Sequence, residues 1–196
     1  MTTETRKYEK KRRAESEAET RRRITETAVE LHGTVGPSRT SISAIAELAG
    51  VRRSTVYRHF PDEAALFDAC SSHWAAANPL PDMGAWALIE DPDARLRSAL
   101  DELYAFYRST ERMLENLLRD EETVPLVKEH FAGYRGYLAA ARDVLLRGRP
   151  ERGRHRDQTR AAIGHALAVP TWRSLTREQG LSDDQATELM CRLAAG

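Results

Sequence analysis

Apolar residues recur along this chain at helical spacing, and clusters of glycine and proline interrupt them. From about Ser16 to His32, Glu17/Arg21 and Glu19/Arg23 pair at i,i+4, and Ile24, Ala28 and Leu31 form one stripe, which GTVGPS at residues 33–38 brings to an end. Ile42, Ile45, Ala46 and Ala49 fall at i, i+3, i+4 and i+7, which predicts a short helix capped by Thr40 or Ser41. Gly50 suits a left-handed helix end, and Val51 plugs the turn. A third helix is predicted from about Arg53 to Phe60, with Val56 and Phe60 inward. Asp62 then caps a fourth, which carries Leu66, Phe67, Cys70 and Trp74 on one side.

NPLPDMG, residues 78–84, reads as a connection. Beyond it, Asp93 to Thr110 is strongly helical through Leu96, Leu100, Leu103 and Tyr107, and Glu111 to Asp120 is predicted as a separate short helix. Pro125 starts another, with Val127, Phe131, Tyr134, Leu138, Ala141 and Leu145. After the polar run RGRPERGRHRD at 147–157, helices are predicted at about 156–178 and 182–194. No segment alternates as a strand does, and no glycine pattern forms a cofactor or phosphate loop. The expectation is an all-α protein of about nine helices without a cofactor. It divides into a flexible basic arm (1–15), a first helical domain (16–75) and a second (76–196).

Charge sharpens that division. The whole chain of 196 residues is neutral, but residues 1–60 hold 13 Lys/Arg against 8 Asp/Glu, so an acidic remainder balances a basic end. Cys70 and Cys191 match no metal-ligand spacing, and unbridged thiols fit a cytoplasmic protein. No apolar run approaches the roughly 18–20 residues needed to cross a bilayer. The N-terminal residues lack the apolar core of a secretion signal.

The second and third predicted helices form a pair joined by a Gly-Val turn. With Val56 and Phe60 inward, Arg52, Arg53, Thr55, Tyr57, Arg58 and His59 fill the outer side with donors and cations. Arginine can bridge guanine O6 and N7, and threonine can touch a base or a thymine methyl. This favours Arg53 and Thr55 near bases and Tyr57, Arg58 and His59 on the DNA backbone, with Arg52 undecided. Thr40 and Ser41 lie where helix amides receive a phosphate. Tyr57 equally fits a core or interface aromatic, and His59 an imidazole that merely closes the helix.

The block TSISAIAELAGVRRSTVYRHFPDEAALF resembles the DNA-binding region of the TetR family of bacterial transcriptional regulators. The resemblance rests on Ile42, Ile45 and Ala46, on Ala49-Gly50-Val51, on Thr55-Val56-Tyr57, and on Phe60 with Asp62-Glu63. It implies a helix-turn-helix domain over residues 16–75 and a helical ligand-binding and dimerisation domain over 76–196. The implied protein is a homodimeric repressor, released from a palindromic double-stranded DNA operator by a small ligand. The sequence departs from the family at Arg52-Arg53-Ser54. Arginine cannot cap a helix and opposes its dipole, so either a phosphate lies near Arg52 or Ser54 caps a helix that starts later.

The resemblance also extends to the last two helices, which in the family commonly form the dimer interface. Ala162, Ala166 and Val169 permit close approach, and Trp172, Leu175, Leu189 and Leu193 supply apolar area; ordinary packing within the chain would look the same. Tyr104, Tyr107, Met113, Phe131, Tyr134 and Tyr137 would line a pocket for a hydrophobic or aromatic effector, or would simply pack a core. Two rival functions are weaker. A helical adaptor with a basic N-terminus would need only the charge asymmetry. An enzyme would need an organised site, whereas the six histidines are scattered and include no HExxH.

Overall fold

A computed structural model of the chain describes residues 3–195, and every regular element among them is helical. The order is α1 (Thr3–Thr34), α2 (Ile42–Leu48), α3 (Arg53–His59), α4 (Glu63–Ala77), α5 (Met83–Ala87), α6 (Pro92–Asp120), α7 (Pro125–Leu145), α8 (Gly153–Ala166), α9 (Val169–Arg173) and α10 (Asp183–Ala195). A 3-10 turn at Pro37–Arg39 precedes α2, and a π-helical turn at Ser174–Glu178 follows α9. No helix among the described residues is long and apolar enough to cross a membrane.

Three boundaries differ from the sequence expectation. The arm expected over residues 1–15 is helical from Thr3 onward, while Met1 and Thr2 lie outside the described residues. Glu, Lys, Arg and Ala are good helix formers, and nothing from Thr3 to Thr20 breaks the pattern; Lys11 and Glu15 pair at i,i+4. The two helices expected over 93–120 are one, because no glycine or proline interrupts them; Thr110 is accommodated mid-helix by bonding its Oγ1 to the Phe106 carbonyl at 2.6 Å. Conversely, the single helix expected over 156–178 stops at Ala166. Pro170 has no N–H to give the Ala166 carbonyl, and it restarts the chain as the first turn of α9.

The chain forms two compact units. The first comprises Met1–Ala77 with Glu115–Lys128, the second Asn78–Leu114 with Glu129–Gly196. The first unit thus joins the residues up to Ala77 to 115–128, the segment that contains the end of α6. In the first unit, Ile24, Ala28, Ile42, Ile45, Ala46, Ala49, Val56, Phe60, Leu66 and Cys70 form one core. In the second, Trp86, Leu96, Leu100, Leu103, Tyr104, Tyr107, Leu145, Ile163 and Trp172 are among the largest fully buried side chains.

Candidate nucleic-acid interface

The turn between α2 and α3 is built entirely from local chemistry. Ser41 caps α2, its Oγ accepting from the Ala44 amide at 3.1 Å. Gly50 then takes φ +64°, and the Gly50 amide bonds Glu47 O at 3.1 Å while the Val51 amide bonds Ala46 O at 2.9 Å. These two bonds complete a Schellman motif, which needs a residue free to adopt the left-handed region. The motif ends α2 at a fixed angle and delivers Arg52 to the start of α3.

Helix α3 begins at Arg53, with Arg52 in the capping position and no side-chain bond there. The alternative start capped by Ser54 is thereby excluded. Val56 and the Phe60 that follows the helix are buried, whereas Arg52, Arg53, Ser54, Tyr57 and Arg58 are exposed and Thr55 and His59 half-buried. Tyr57 is 42% exposed, too open for a core aromatic. The Arg53 guanidinium lies 6.0 Å from its ring centroid, one turn away, so both groups occupy the same outer stripe. Thr40 is half-buried and its hydroxyl donates to Gly36 O at 2.8 Å, while Ser41 is exposed.

His59 differs from the rest. Its Nε2 is buried without a hydrogen-bond partner, and burial, then Arg58 and Arg21, hold its pKa below the usual imidazole range. The ring is thus held in its neutral form. The sequence also overlooked Arg21 of α1, which it paired with Glu17. Arg21 instead donates to the His59 carbonyl at the C-terminal end of α3, and its guanidinium stacks 4.0 Å from the Phe60 ring centroid. A cation on those last carbonyls matches the negative end of the helix. The neighbouring Arg22 takes Glu19 and Glu26.

The base of the unit is held by polar groups from far along the chain. Asp120 at the end of α6 accepts from the Ser38 amide at 2.9 Å, and Arg119 donates to Val35 O at 2.9 Å and to Asp120. Burial raises the Asp120 pKa, but Arg119 and the Ser38 amide together outweigh it and hold the carboxyl below its usual range. Asn116 donates to His32 O at 2.9 Å. The His32 ring is buried, 3.5 Å from Cys70 Sγ, and burial depresses its pKa to about 4 against a smaller opposing pull from Asp120.

A histidine that resists protonation only when folded stabilises the protein fully above its unfolded pKa and loses that contribution as the pH falls toward 4. The expected loss between pH 6.5 and 4 is roughly 3 kcal/mol from this group. Urea unfolding at pH 7.5 and 4.5 measures it, and His32→Gln should flatten the slope. An equally steep slope in the variant would remove His32 as the cause.

Residues 24–70 match the family model for bacterial regulatory proteins of the tetR family. Over that segment the chain carries the sequence pattern of that family. Solved structures of TetR-type regulators share the fold across nearly the whole chain. A TetR-like transcriptional regulator from Rhodococcus sp. RHA1 aligns with a TM-score of 0.64 at 20% identity, covering 90% of this chain and 93% of its own. A candidate fatty acid metabolism regulator from Clostridium perfringens gives 0.65 at 15% identity, covering 89% and 97%. The fatty acid degradation regulator FadR from Bacillus halodurans gives 0.53 at 16%, covering 90% and 95%. No curated protein matches the chain significantly. The chain thus has the fold of a TetR-type transcriptional regulator, with its helix-turn-helix at α2 and α3.

In the second unit, the aromatic residues assigned to an effector pocket do come together, but as a packed cluster. Tyr104 and Tyr107 are completely buried, and Met113 and Phe131 nearly so; Tyr134 and Tyr137 are half-buried. Tyr104 donates to Ala166 O at 3.0 Å and Tyr107 to Leu167 O at 2.6 Å, the carbonyls left at the end of α8. Tyr134 donates to Tyr107 at 3.1 Å, and Tyr137 to Pro81 O at 2.9 Å. Two of these hydroxyls, those of Tyr104 and Tyr107, therefore brace the helix break before Pro170, with Tyr134 behind Tyr107.

Of the residues assigned to the dimer interface, Ala166, Val169 and Trp172 are buried within the chain, the last with its indole N–H on Asp183 Oδ1 at 3.0 Å. Ala162 and Leu189 are half-buried, and Leu193 is 59% exposed. Leu175 is likewise half-buried, so these four keep surface to offer a second copy.

Proposed function

We propose that the protein is a homodimeric repressor that places α3 of each copy in the major groove of a palindromic operator. The reading further supposes that a small hydrophobic or aromatic ligand, taken up by the second unit, releases it by changing the spacing of the two reading helices. The observation that carries it is the division of α3. Its inner side is Val56 followed by Phe60, and its outer side is Arg52, Arg53, Ser54, Tyr57 and Arg58, all exposed within seven residues. Arg53 and Thr55 are assigned to base edges, and Tyr57, Arg58 and the Thr40–Ser41 end of α2 to phosphates. His59 is assigned to the DNA backbone as well. Such a protein binds rather than catalyses, and it acts in the cytoplasm beside the DNA.

The test is affinity for a selected duplex. Arg53→Ala with Tyr57→Ala should weaken binding by about 30-fold or more with an unchanged helical spectrum, since each good contact is worth about 1–3 kcal/mol. Retained affinity and preference in this double variant would refute the assigned contacts.

Arg52 gives a second expectation. It occupies the capping position without capping, so Arg52→Ser should raise stability by about 0.5–1 kcal/mol. If Arg52 faces a phosphate, the same change should weaken duplex binding and lower its salt dependence by about one counterion. Thermal unfolding and a salt titration separate the two effects. Lower stability in the serine variant would contradict the capping argument.

A further inference from the structure

The polar run between α7 and α8 borders an open pocket that DNA reading does not use. A cavity of about 390 Å³ there is walled by Leu146, Arg147, Gly148, Arg149, Pro150, Arg152 and Arg156. Four of those seven residues are arginines, and none is acidic.

Two of the arginines are fixed by the chain itself. Arg149 is buried, with Nη2 on Asp93 Oδ1 at 2.9 Å and on Pro92 O at 3.2 Å. Arg152 lays Nη1 against the carbonyls of Arg149, Pro150 and Glu151, at 2.8–3.2 Å. The side chains of Arg147 and Arg156 take no partner among the described residues. Glu151 beside them has Oε2 shut away from solvent with no hydrogen-bond partner, and it is not part of the wall. Helix α8 adds to the imbalance: it starts at Gly153 with Arg152 in the capping position, no side-chain cap and no acidic residue in its first turn. Cations gathered around the positive end of a helix repel one another and the dipole unless an anion joins them.

We propose that this cavity binds a phosphate group, held by the free guanidinium groups of Arg147 and Arg156 and oriented by the anchored Arg149 and Arg152. A planar fork of donors matches phosphate oxygens, and two unpartnered forks beside two fixed ones offer it several donors at once. The volume exceeds that of a bare phosphate and accommodates a phosphate monoester of a small polar molecule. The site is independent of the operator contacts, so it stands or falls separately from them.

The experiment is calorimetric titration of the full-length protein at constant ionic strength with inorganic phosphate, glucose 6-phosphate and malonate. Saturable binding of either phosphate is expected, with the sugar phosphate tighter if the natural ligand is an ester and the two equal if it is free phosphate. Arg147→Gln with Arg156→Gln should weaken binding by about tenfold or more for each guanidinium removed, while Arg112→Gln, an exposed charge elsewhere in the unit, should leave it unchanged. The variants remove side chains without internal partners, so folding is preserved, which thermal melting verifies. Weak, unsaturable heats shared by the wild type and the double variant would mean an adventitious ion only and would overturn the proposal. Malonate binding as tightly as phosphate, or affinity confined to duplex DNA, would overturn it equally.

Discussion

Replacing Arg95 with methionine is expected to destabilise the second unit by about 4 kcal/mol. Arg95 is buried on the first turn of α6 and faces carbonyls rather than a carboxylate. Nε donates to Ile89 O at 2.8 Å and Nη2 to Glu90 O at 3.0 Å, just beyond the end of α5. Nη1 donates to Val144 O at 3.2 Å and Arg147 O at 2.7 Å, at the end of α7. One guanidinium thus satisfies the loose carbonyls of two chain ends and places a positive charge against the negative end of α7. Methionine matches the length of the stem and avoids a large cavity, but it strands these acceptors away from water. Arg95→Lys should fall between, because an ammonium cannot reach four acceptors in one plane. Urea unfolding followed by tryptophan fluorescence gives the number. A loss below 1 kcal/mol for the methionine variant would show that water or backbone shifts replace the guanidinium.

Gly36→Ala should cost a similar amount, about 4 kcal/mol, in the first unit. Gly36 has φ 95° and ψ 158°, a region that essentially only glycine adopts. A Cβ there would also fall onto Arg119 Nη2 and sit 2.7 Å from Asp120 Oδ2. Relief would require moving the side chains that hold Val35 O and the Ser38 amide, so the bonds between α6 and the entry to α2 would be lost with the backbone strain. Because this entry sets where α2 begins, duplex affinity should fall along with the melting temperature. A variant within 1 kcal/mol of the parent would mean that the turn can relax into another conformation.

The helix-turn-helix was legible in the sequence because every signal in it is local. Ser41, Gly50 and Val51 act on neighbours within five residues, and their cap and Schellman bonds form as the pattern predicts. Arg52 was likewise identifiable as an uncapped helix start. Arg21 was not, since the i,i+4 rule assigned it to Glu17 and gave no hint that it would reach a carbonyl 38 residues away. The Asn116–Arg119–Asp120 group was hidden for the same reason: its partners lie 82–84 residues upstream. The break at Pro170 does not register in the apolar pattern over 156–178. Without it, the phenols of Tyr104 and Tyr107 have no visible structural partner, and a pocket and a packed core read alike. Burial of Ala166, Val169 and Trp172 within the chain was invisible for the related reason that apolar periodicity cannot distinguish a core from an interface.

Two copies of the protein should present α3 to a symmetric DNA site. Selection of duplexes by the full-length protein from a random pool tests it most directly. The expected result is an inverted repeat whose half-sites lie about one helical turn, roughly 34–36 Å, or a multiple of it apart, with enrichment lost in the Arg53→Ala, Tyr57→Ala variant. A pool that stays random, or an asymmetric site still selected by that variant, would contradict it.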